Sequence, residues 1–542
     1  MLRLILAGWG ALGLILLPFG SVPAVDDWVY AWSVEWLLTH RRLEVLDFSS
    51  NASYAQTLWG ALFCLPFGFS FAALRLSTWV LSFVALAGTY RLLRDAGASE
   101  SAATLGTAAL AAFPPFMVLS FSFMTDVPLV AVETWTLVFF ARAWRRDSSR
   151  DLWIGAALAC CAAAIRVVGL VPALAMSAAL LFHGRRRSAL VPLAALPLTG
   201  ALLWYHAHHV HHVADLSFIH NTPAPRIDAL REHGLALLPA WLPLSLEFVA
   251  VATGLALAPI AAALAGTAER WRHVAVIGAV SATVVFAGHL LGGLHYPAFA
   301  SEGSWISDEL GAVITLLPGW RPKVVPAWAT VAMTLACWGS FAILAAGIVP
   351  RDRRIAALPV FGWLIAGFVL LTAILWLATD RYILPFLPPA LALVLGPGVP
   401  VTAWRGVIAI EVYVTIGAVG LLDRTNAERA VWSAIDGLRD QGVSVAEIDA
   451  GYTANGWLQY AHPDQAHRDS AGRVAVPFVN GDVTLPWVVS AAPMPDAQQV
   501  RQYPFARVGR SPGAVYVSRR SPTALNGPSP QTRIIAAVGG PE

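Results

Sequence analysis

Long apolar runs separated by short polar breaks fill the chain from its first residues to about position 423. A helix needs about 20 predominantly apolar residues to cross a bilayer. That length predicts spans at 4–22, 71–90, 101–121, 125–141, 152–166, 167–183, 189–206, 242–264, 273–292, 327–349, 357–377, 382–399 and 405–422, about 13 in all. The runs at 152–166 and 167–183 are short and meet at Arg166, which predicts tilted or broken helices joined at one face. The stretch 23–70 breaks the pattern. Trp28, Trp32 and Trp36 recur at helical spacing within 27–38, predicting a helix on the membrane surface with its indoles at headgroup depth. The apolar run 56–68 is too short to span and predicts a second surface or re-entrant helix, with 41–47 a polar loop between the two. Past 423 the pattern becomes that of a water-facing fold: a helix at 427–439 capped by Asn426, and strands at 443–448, 474–479, 487–490 and 515–518. The predicted fold class is a polytopic α-helical membrane protein with a small C-terminal α/β extramembrane domain. It divides as 1–423 membrane domain, 424–520 extracytoplasmic domain, and 521–542 a Pro-, Gly- and Ser-rich disordered tail.

Composition agrees with the pattern. Hydrophobic residues make up 57% and charged residues 13%, against about 25% charged in soluble domains, and the mean hydropathy is +0.62. A net charge of +3 is too small to imply a nucleic-acid partner. The basic residues are nearly all arginine and cluster in alternate short loops: Arg91 and Arg94; Arg142, Arg145, Arg146 and Arg150; Arg185, Arg186 and Arg187; Arg270 and Arg272; Arg351, Arg353 and Arg354; and Arg405. The positive-inside rule puts these loops in the cytoplasm and the longer loops 23–70, 207–241 and 293–326 outside. The N-terminus is then cytoplasmic and the C-terminal domain extracytoplasmic, in a bacterial-type plasma (inner) membrane. The first run lacks a small-x-small cleavage site and is expected to stay as an uncleaved span. Cys64, Cys160, Cys161 and Cys337 all lie in apolar runs, with no spacing for a disulfide framework or a zinc site.

Four features carry candidate chemistry. Asp26 and Asp27 are adjacent carboxylates just beyond the first span. Either they cap the following helix, or their repulsion is relieved by a cation, a proton or a metal in a site. Asp126 opens the span that begins near 125, where it is either an N-cap ahead of Pro128 or an ionisable group facing a site. Arg166 sits between two short spans, where it either snorkels to the interface or binds a phosphate or carboxylate through its planar fork. Arg381 is similar, with Asp380 beside it as a simple ion-pair partner. The fourth is the run His206, His208, His209, His211, His212 and His220. On a helix, His208 and His212 share a face and offer metal-ligand spacing; the alternative is a wet, interfacial extension of the span.

Taken in order, these residues resemble the GT-C superfamily of polyprenyl-phosphate-dependent glycosyltransferases. The nearest branch is the family 39-like enzymes, which include protein O-mannosyltransferases and lipid A aminoarabinose transferases. The resemblance covers roughly 1–425. It rests on Asp26-Asp27 with Tyr30, Phe67-Gly68-Phe69-Ser70-Phe71 followed by Leu74-Arg75, Asp126 in Met124-Thr125-Asp126-Val127-Pro128, Arg166, and Arg381-Tyr382-Ile383-Leu384-Pro385. It implies transfer of a sugar from a polyprenyl-phosphate donor to a glycan, lipid or protein acceptor at the outer face of the membrane. Asp26, Asp27 and Asp126 would be the catalytic acids. Arg166, Arg381 and Tyr30 would bind donor and phosphate. A divalent metal ion would sit near Asp27, Asp126 and His220. The departures are Asp27 where relatives carry Glu, and Tyr54-Ala55-Gln56 near the place of a Glu-Lys-Pro-like segment that contributes a metal contact in the aminoarabinose transferases. Other classes stay open: a polytopic transporter or flippase, a polymerase of envelope precursors, or a scaffold whose C-terminal part binds a partner. In the C-terminal part, Tyr452 and Trp457 lie in a Gly- and Asn-rich loop that either stacks on sugar rings or packs on its own core.

Overall fold

The computed structural model describes residues 1–16, 20–24, 26–49, 52–214, 231–232, 234–265, 317–319, 327–348, 358–374, 380–479 and 483–521. The predicted span at 273–292, His220 and the predicted tail beyond 521 lie outside the described residues.

The architecture is helical. The first part of the chain runs α1 (Leu2–Leu16), α2 (Asp27–His40), β1 (Val45–Leu46), α3 (Tyr54–Cys64), α4 (Phe71–Asp95), α5 (Glu100–Ala112), α6 (Pro114–Ser120), α7 (Asp126–Arg146), α8 (Ser149–Ala163), α9 (Val171–Phe182), α10 (Arg186–Leu193), α11 (Ala195–His208) and β2 (Val210–His211). Among the described residues four helices are long and apolar enough to cross a membrane: Phe71–Asp95, Asp126–Arg146, Arg186–His208 and Ala403–Arg439. Two bent pairs raise the number to six: α5 with α6, bent by 66°, and Ser245–Ala256 with Ala258–Leu264, bent by 71°. Each bend falls at a proline at the start of its second helix, Pro114 and Pro259, where a missing N–H and a fixed φ interrupt the ladder. Shorter apolar helices lie at Leu2–Leu16, Val167–Phe182, Ala332–Ala346, Pro359–Leu371 and Arg381–Val394.

Local chemistry sets the helix starts. Ser70, Ser99 and Ser148 are extended N-cap residues whose hydroxyls accept from Ala73, Ala102 and Asp151 N–H respectively. At the far ends of α4 and α7, Asp95 gathers three arginines: Arg91 and Arg142 Nε at 3.0 Å each and Arg145 Nη2 at 3.3 Å. Two of the Arg-rich loops predicted to share a side of the membrane therefore meet around one carboxylate. Asp126, at the opposite end of α7, is about 30 Å away by helix length.

Two expectations about the first loop change. The Trp stripe of α2 does not lie open to headgroups. Trp28 and Trp32 are buried, packed with Leu46, Tyr460, Val476 and Val479, so a later part of the chain covers the face whose periodicity suggested lipid. The polar connector 41–47 contains β1, which pairs in parallel with β2 through Val45↔Val210 and Leu46↔His211. By contrast α3 leaves Leu58 and Leu62 exposed, with Leu65 just past its end, an apolar flank at i, i+4, i+7 spacing.

The C-terminal part also differs. Asn426 does not start a helix: Ala403–Arg439 is one helix of 37 residues. The polar cluster that looked like a boundary ties this helix to the segment around Ala506–Arg510. Arg424 Nε meets Glu428 at 2.7 Å, Asp423 accepts from Val508 N at 2.8 Å and from Arg510 at 2.6 Å, and Asn426 donates to the Ala506 carbonyl at 3.1 Å. A four-stranded sheet of order β3-β4-β6-β5 packs on its distal half, with β3 (Ile448–Asp449), β4 (Trp487–Ser490), β5 (Ala497–Phe505) and β6 (Gly513–Arg520). Only β3–β4 is parallel. The shared core comprises Val431, Ala434, Ile435 and Leu438 of the helix with Ile448, Val489, Val515 and Val517. The predicted strand at 474–479 is absent apart from a single bridge, Arg468↔Val474. Val476 and Val479 instead bury against α2.

Candidate functional site

Asp26 and Asp27 sit at the start of α2, where consecutive side chains leave the axis about 100° apart. That angle separates them. Asp27 turns inward and is fully buried: its Oδ1 accepts from Ala24 N at 2.6 Å, and its Oδ2 faces Arg75 Nη2 at 3.6 Å. Arg75 also donates to the carbonyls of Gly20 and Val22, at 3.0 and 2.6 Å. Burial pushes the Asp27 carboxyl up to about 7, with Arg75 opposing the rise. Asp26 occupies the N-cap position with no side-chain cap bond. Its carboxylate lies 3.5 Å from Arg381 Nη1, and its charge acts on the phenol of Tyr452.

Asp126, the first residue of α7, is buried and accepts from Arg166 Nη1 at 2.9 Å through Oδ1, while its Oδ2 is buried without a hydrogen-bond partner among the described residues. Arg166 takes an extended backbone (φ −149°, ψ 137°) between α8 and the short 3-10 turn Val167–Leu170. The predicted break between two short helices is real, and it delivers the guanidinium to Asp126. Arg166 and Arg381 both lie over the ring of Tyr382, at 5.2 and 5.3 Å from its centroid. Tyr30 stands one turn along α2 from Asp26. Burial pushes its phenol up, and Arg166, Asp26, Arg381 and Asp126 all act on it electrostatically.

Five of the residues singled out from sequence thus converge: Asp26, Tyr30, Asp126, Arg166 and Arg381. Asp27 does not join them, because it is enclosed with Arg75. Sequence reasoning quoted Tyr382 beside Arg381 and Tyr452 in the Gly- and Asn-rich loop, but assigned neither to this cluster. The first was legible as the neighbour of Arg381. The second comes from a distant segment that no local pattern ties to Asp26. Two carboxylates interleaved with two guanidiniums and three tyrosines can bind an anionic group through arginine forks and offer a carboxylate base beside it.

The same geometry tests a divalent metal. Among the described residues no group of three or more His, Cys, Asp or Glu could hold one. Asp27 and Asp126 belong to separate ion pairs, each facing a guanidinium, which does not fit a cation shared between them. Among the described residues, the histidine run does not bring ligands together either. Helix α11 ends at His208, so His212, beyond β2, shares no helical face with it. His212 lies 3.9 Å from Asp47, His208 Nδ1 bonds the Trp204 carbonyl at 2.7 Å, and the rings of His211 and Trp32 are 4.9 Å apart.

Comparison with known proteins gives one family. Residues 52–211 match the family described as dolichyl-phosphate-mannose-protein mannosyltransferase. No curated protein matches the sequence. Among solved structures, ArnT from Cupriavidus metallidurans in the apo state aligns at 13% identity over 97% of this chain and 99% of that chain, with a TM-score of 0.42. The same protein bound to undecaprenyl phosphate aligns at 13% identity over 97% and 99%, with a TM-score of 0.43. The segment from α3 to β2, which carries Asp126 and Arg166, is thus the part of the chain that is similar to the dolichyl-phosphate-mannose-protein mannosyltransferase family.

Proposed function

We propose that this chain is a membrane glycosyltransferase that moves a sugar from a polyprenyl-phosphate donor to a glycan, lipid or protein acceptor of the cell envelope. One observation carries the reading: Asp26, Asp126, Arg166 and Arg381 form one interlocked cluster, and two of them lie in the segment that matches the mannosyltransferase family. The cluster lies at the end of α7 remote from the Asp95 arginine network. With that network cytoplasmic, the site is extracytoplasmic. The remaining apolar helices complete a membrane domain of about 13 spans, and the sheet-bearing C-terminal part stands on the same outer side.

The acceptor nucleophile attacks the anomeric carbon while the bond from that carbon to the phosphate oxygen breaks. The acceptor's proton passes to Asp26, and the electron pair leaves with the polyprenyl phosphate. Arg381 and Arg166 bind the phosphate and stabilise the charge that grows on it. Asp126 orients Arg166, and Tyr382 holds the two guanidiniums side by side. In this reading the two arginines supply the positive charge at the phosphate, and no step requires Asp27.

The test is donor turnover by the purified protein, read as polyprenyl phosphate released from a panel of polyprenyl-phosphate sugars, together with mass spectrometry of surface glycans from cells lacking the protein. Loss of a single sugar, restored by the wild type and not by Asp26→Asn, is the expected result. Intact glycan precursors accumulating in the membrane would sink the reading and point to transport.

A further inference from the structure

At the end of α7 remote from Asp126, α4 and α7 build a second charged feature that the transfer reaction does not use. Helix α7 is buried from Asp126 to Ala143 except at Val132, Trp135, Phe139 and Arg142. Those positions fall at i, i+3, i+7 and i+10, one narrow stripe that ends in a guanidinium. On α4, Val84, Ala87 and Arg91 are open at i, i+3 and i+7, and that stripe ends the same way. The two helices are stitched together along these flanks. Trp135 Nε1 donates to the Val84 carbonyl at 3.1 Å. Gly88 lets the helices close, since a Cβ there would stand 3.0 Å from the same Nε1. The Trp135 and Phe139 rings are 6.3 Å apart, and the Arg142 guanidinium lies 5.4 Å from the Phe139 centroid.

Both stripes end on Asp95. Arg91 and Arg142 each donate Nε–H at 3.0 Å to the same oxygen, Oδ2. Arg145 commits both Nη groups to Asp95: Nη2 lies 3.3 Å from Oδ1, and Nη1 donates to the Asp95 carbonyl at 2.6 Å. The Nη groups of Arg91 and Arg142, by contrast, donate to no described residue. Three guanidiniums on one carboxylate leave two positive charges in excess. The C-terminal dipoles of α4 and α7 offset about half a charge each, so about one charge stays unmet. Asp147, at the end of α7, does not meet it, because it pairs with Arg185.

We propose that this groove binds an anionic phospholipid, with its phosphate on the Nη forks of Arg91 and Arg142 and an acyl chain along Trp135 and Phe139. Two planar forks anchored on one oxygen can share a phosphate between them, the geometry arginine favours. Asp95 is the positioning residue that holds the forks together. The aromatic stripe decides for a lipid over a soluble anion, which would leave that apolar surface uncovered. By the positive-inside rule the groove opens to the cytoplasmic leaflet, the one with the negative surface potential.

The experiment titrates full-length protein in a neutral detergent with short-chain phosphatidylglycerol, short-chain phosphatidylcholine or inorganic phosphate, and counts bound lipid by native mass spectrometry. Arg91→Gln and Arg142→Gln each leave two arginines on Asp95, so the fold is kept, and thermal melting without lipid checks it. Wild type is expected to bind phosphatidylglycerol in preference to phosphatidylcholine. Each single variant should weaken that binding by about tenfold, as for one lost charged hydrogen bond, and the double variant by more than either. Arg146→Gln with Arg150→Gln, both exposed in the same loop, should change it by less than about threefold. Equal binding of the two lipids would overturn the proposal. So would an equal loss in the Arg146 and Arg150 control, which would mean general surface charge. Displacement of phosphatidylglycerol by inorganic phosphate at a matching concentration would also overturn it, in favour of a soluble-anion site.

Discussion

Asp26 and Asp27 are neighbours in sequence that answer to different arginines: Asp26 stands 3.5 Å from Arg381, and Asp27 stands 3.6 Å from Arg75. The first pair belongs to the candidate site, and the second pins the loop before α2. Their amides should therefore behave differently. Asp26→Asn is expected to lower kcat by about 100- to 10,000-fold, the range for a lost general base, with an unchanged melting temperature. Asp27→Asn is expected to keep turnover within about threefold, since only an indirect contact is altered. Equal losses in the two variants would show that the pair acts as a unit.

Asp27 also predicts a pH dependence of stability. Its carboxyl is at about 7 when folded against 3.8 in the reference state, so between those values the folded protein holds the extra proton. Stability from this group is greatest at the acid end of that window and falls as pH rises through it, at no more than about 1.4 kcal/mol per pH unit. Asp27→Asn mimics the protonated acid and should flatten the decline in melting temperature between about pH 5 and about pH 7, a working range of about two units that ends at the folded value. Arg75→Met should lower stability at every pH in that range, by about 3 kcal/mol. It strands the carbonyls of Gly20 and Val22 along with the acid. A melting temperature that rises with pH in the wild type would contradict the assignment.

Asp126 and Arg166 form the tighter pair, at 2.9 Å with Asp126 buried. Removing either partner leaves a buried charge, so Asp126→Asn and Arg166→Gln should each destabilise by about 3 kcal/mol. Combining them should recover part of the stability, because neither charge is then stranded. Activity should not recover, since the phosphate loses one arginine fork either way. Melting curves and donor turnover on the three variants separate the two effects; recovery of both would reduce the pair to a structural brace.

The membrane half of this architecture was readable because a bilayer demands long apolar runs. Even the Arg166 break was visible as a charge between two runs too short to stand alone. The acids and arginines of the candidate cluster were visible for the same reason, as charges where an apolar run should be meeting lipid. What sequence hid was whatever depends on a distant partner. The Trp28–Trp32 stripe has the periodicity of a lipid-facing helix, and periodicity does not say whether lipid or protein covers it. β5 escaped notice because its residues are mostly exposed and polar along a sheet edge, which leaves no alternation to read. Asp423 and Arg424 looked like a domain boundary because polar residues end most spans; here they are side-chain contacts within a helix that continues. The separation of Asp26 from Asp27 needed only helix geometry, but knowing which of them faces the site required Arg75.

Gly456 offers a direct test of how the C-terminal segment depends on α2. It begins a single π-helical turn, Gly456–Tyr460, and lies flat against Trp28. A Cβ at this position would fall within the Trp28 indole, touching Cε2, Cζ2 and Nε1. Trp28 cannot retreat, because it is wholly buried and wedged among Phe48, Tyr452, Tyr460 and Phe478. Gly456→Ala must therefore push the turn away from α2, at about 1–3 kcal/mol for an overpacked core. The strain also reaches the first turn of α2, where Asp26 lies two residues before Trp28, and Tyr452, four residues before Gly456, packs on the same indole at 5.8 Å. The expected outcome is a lower melting temperature together with a fall in kcat at unchanged donor KM. Trp28→Leu added to Gly456→Ala should restore much of the stability, because the smaller side chain makes room. It should not restore kcat, because the surface that holds the Tyr452 ring is gone. Stability lost without any change in kcat would mean that the C-terminal segment braces the fold and leaves the chemistry to the membrane helices.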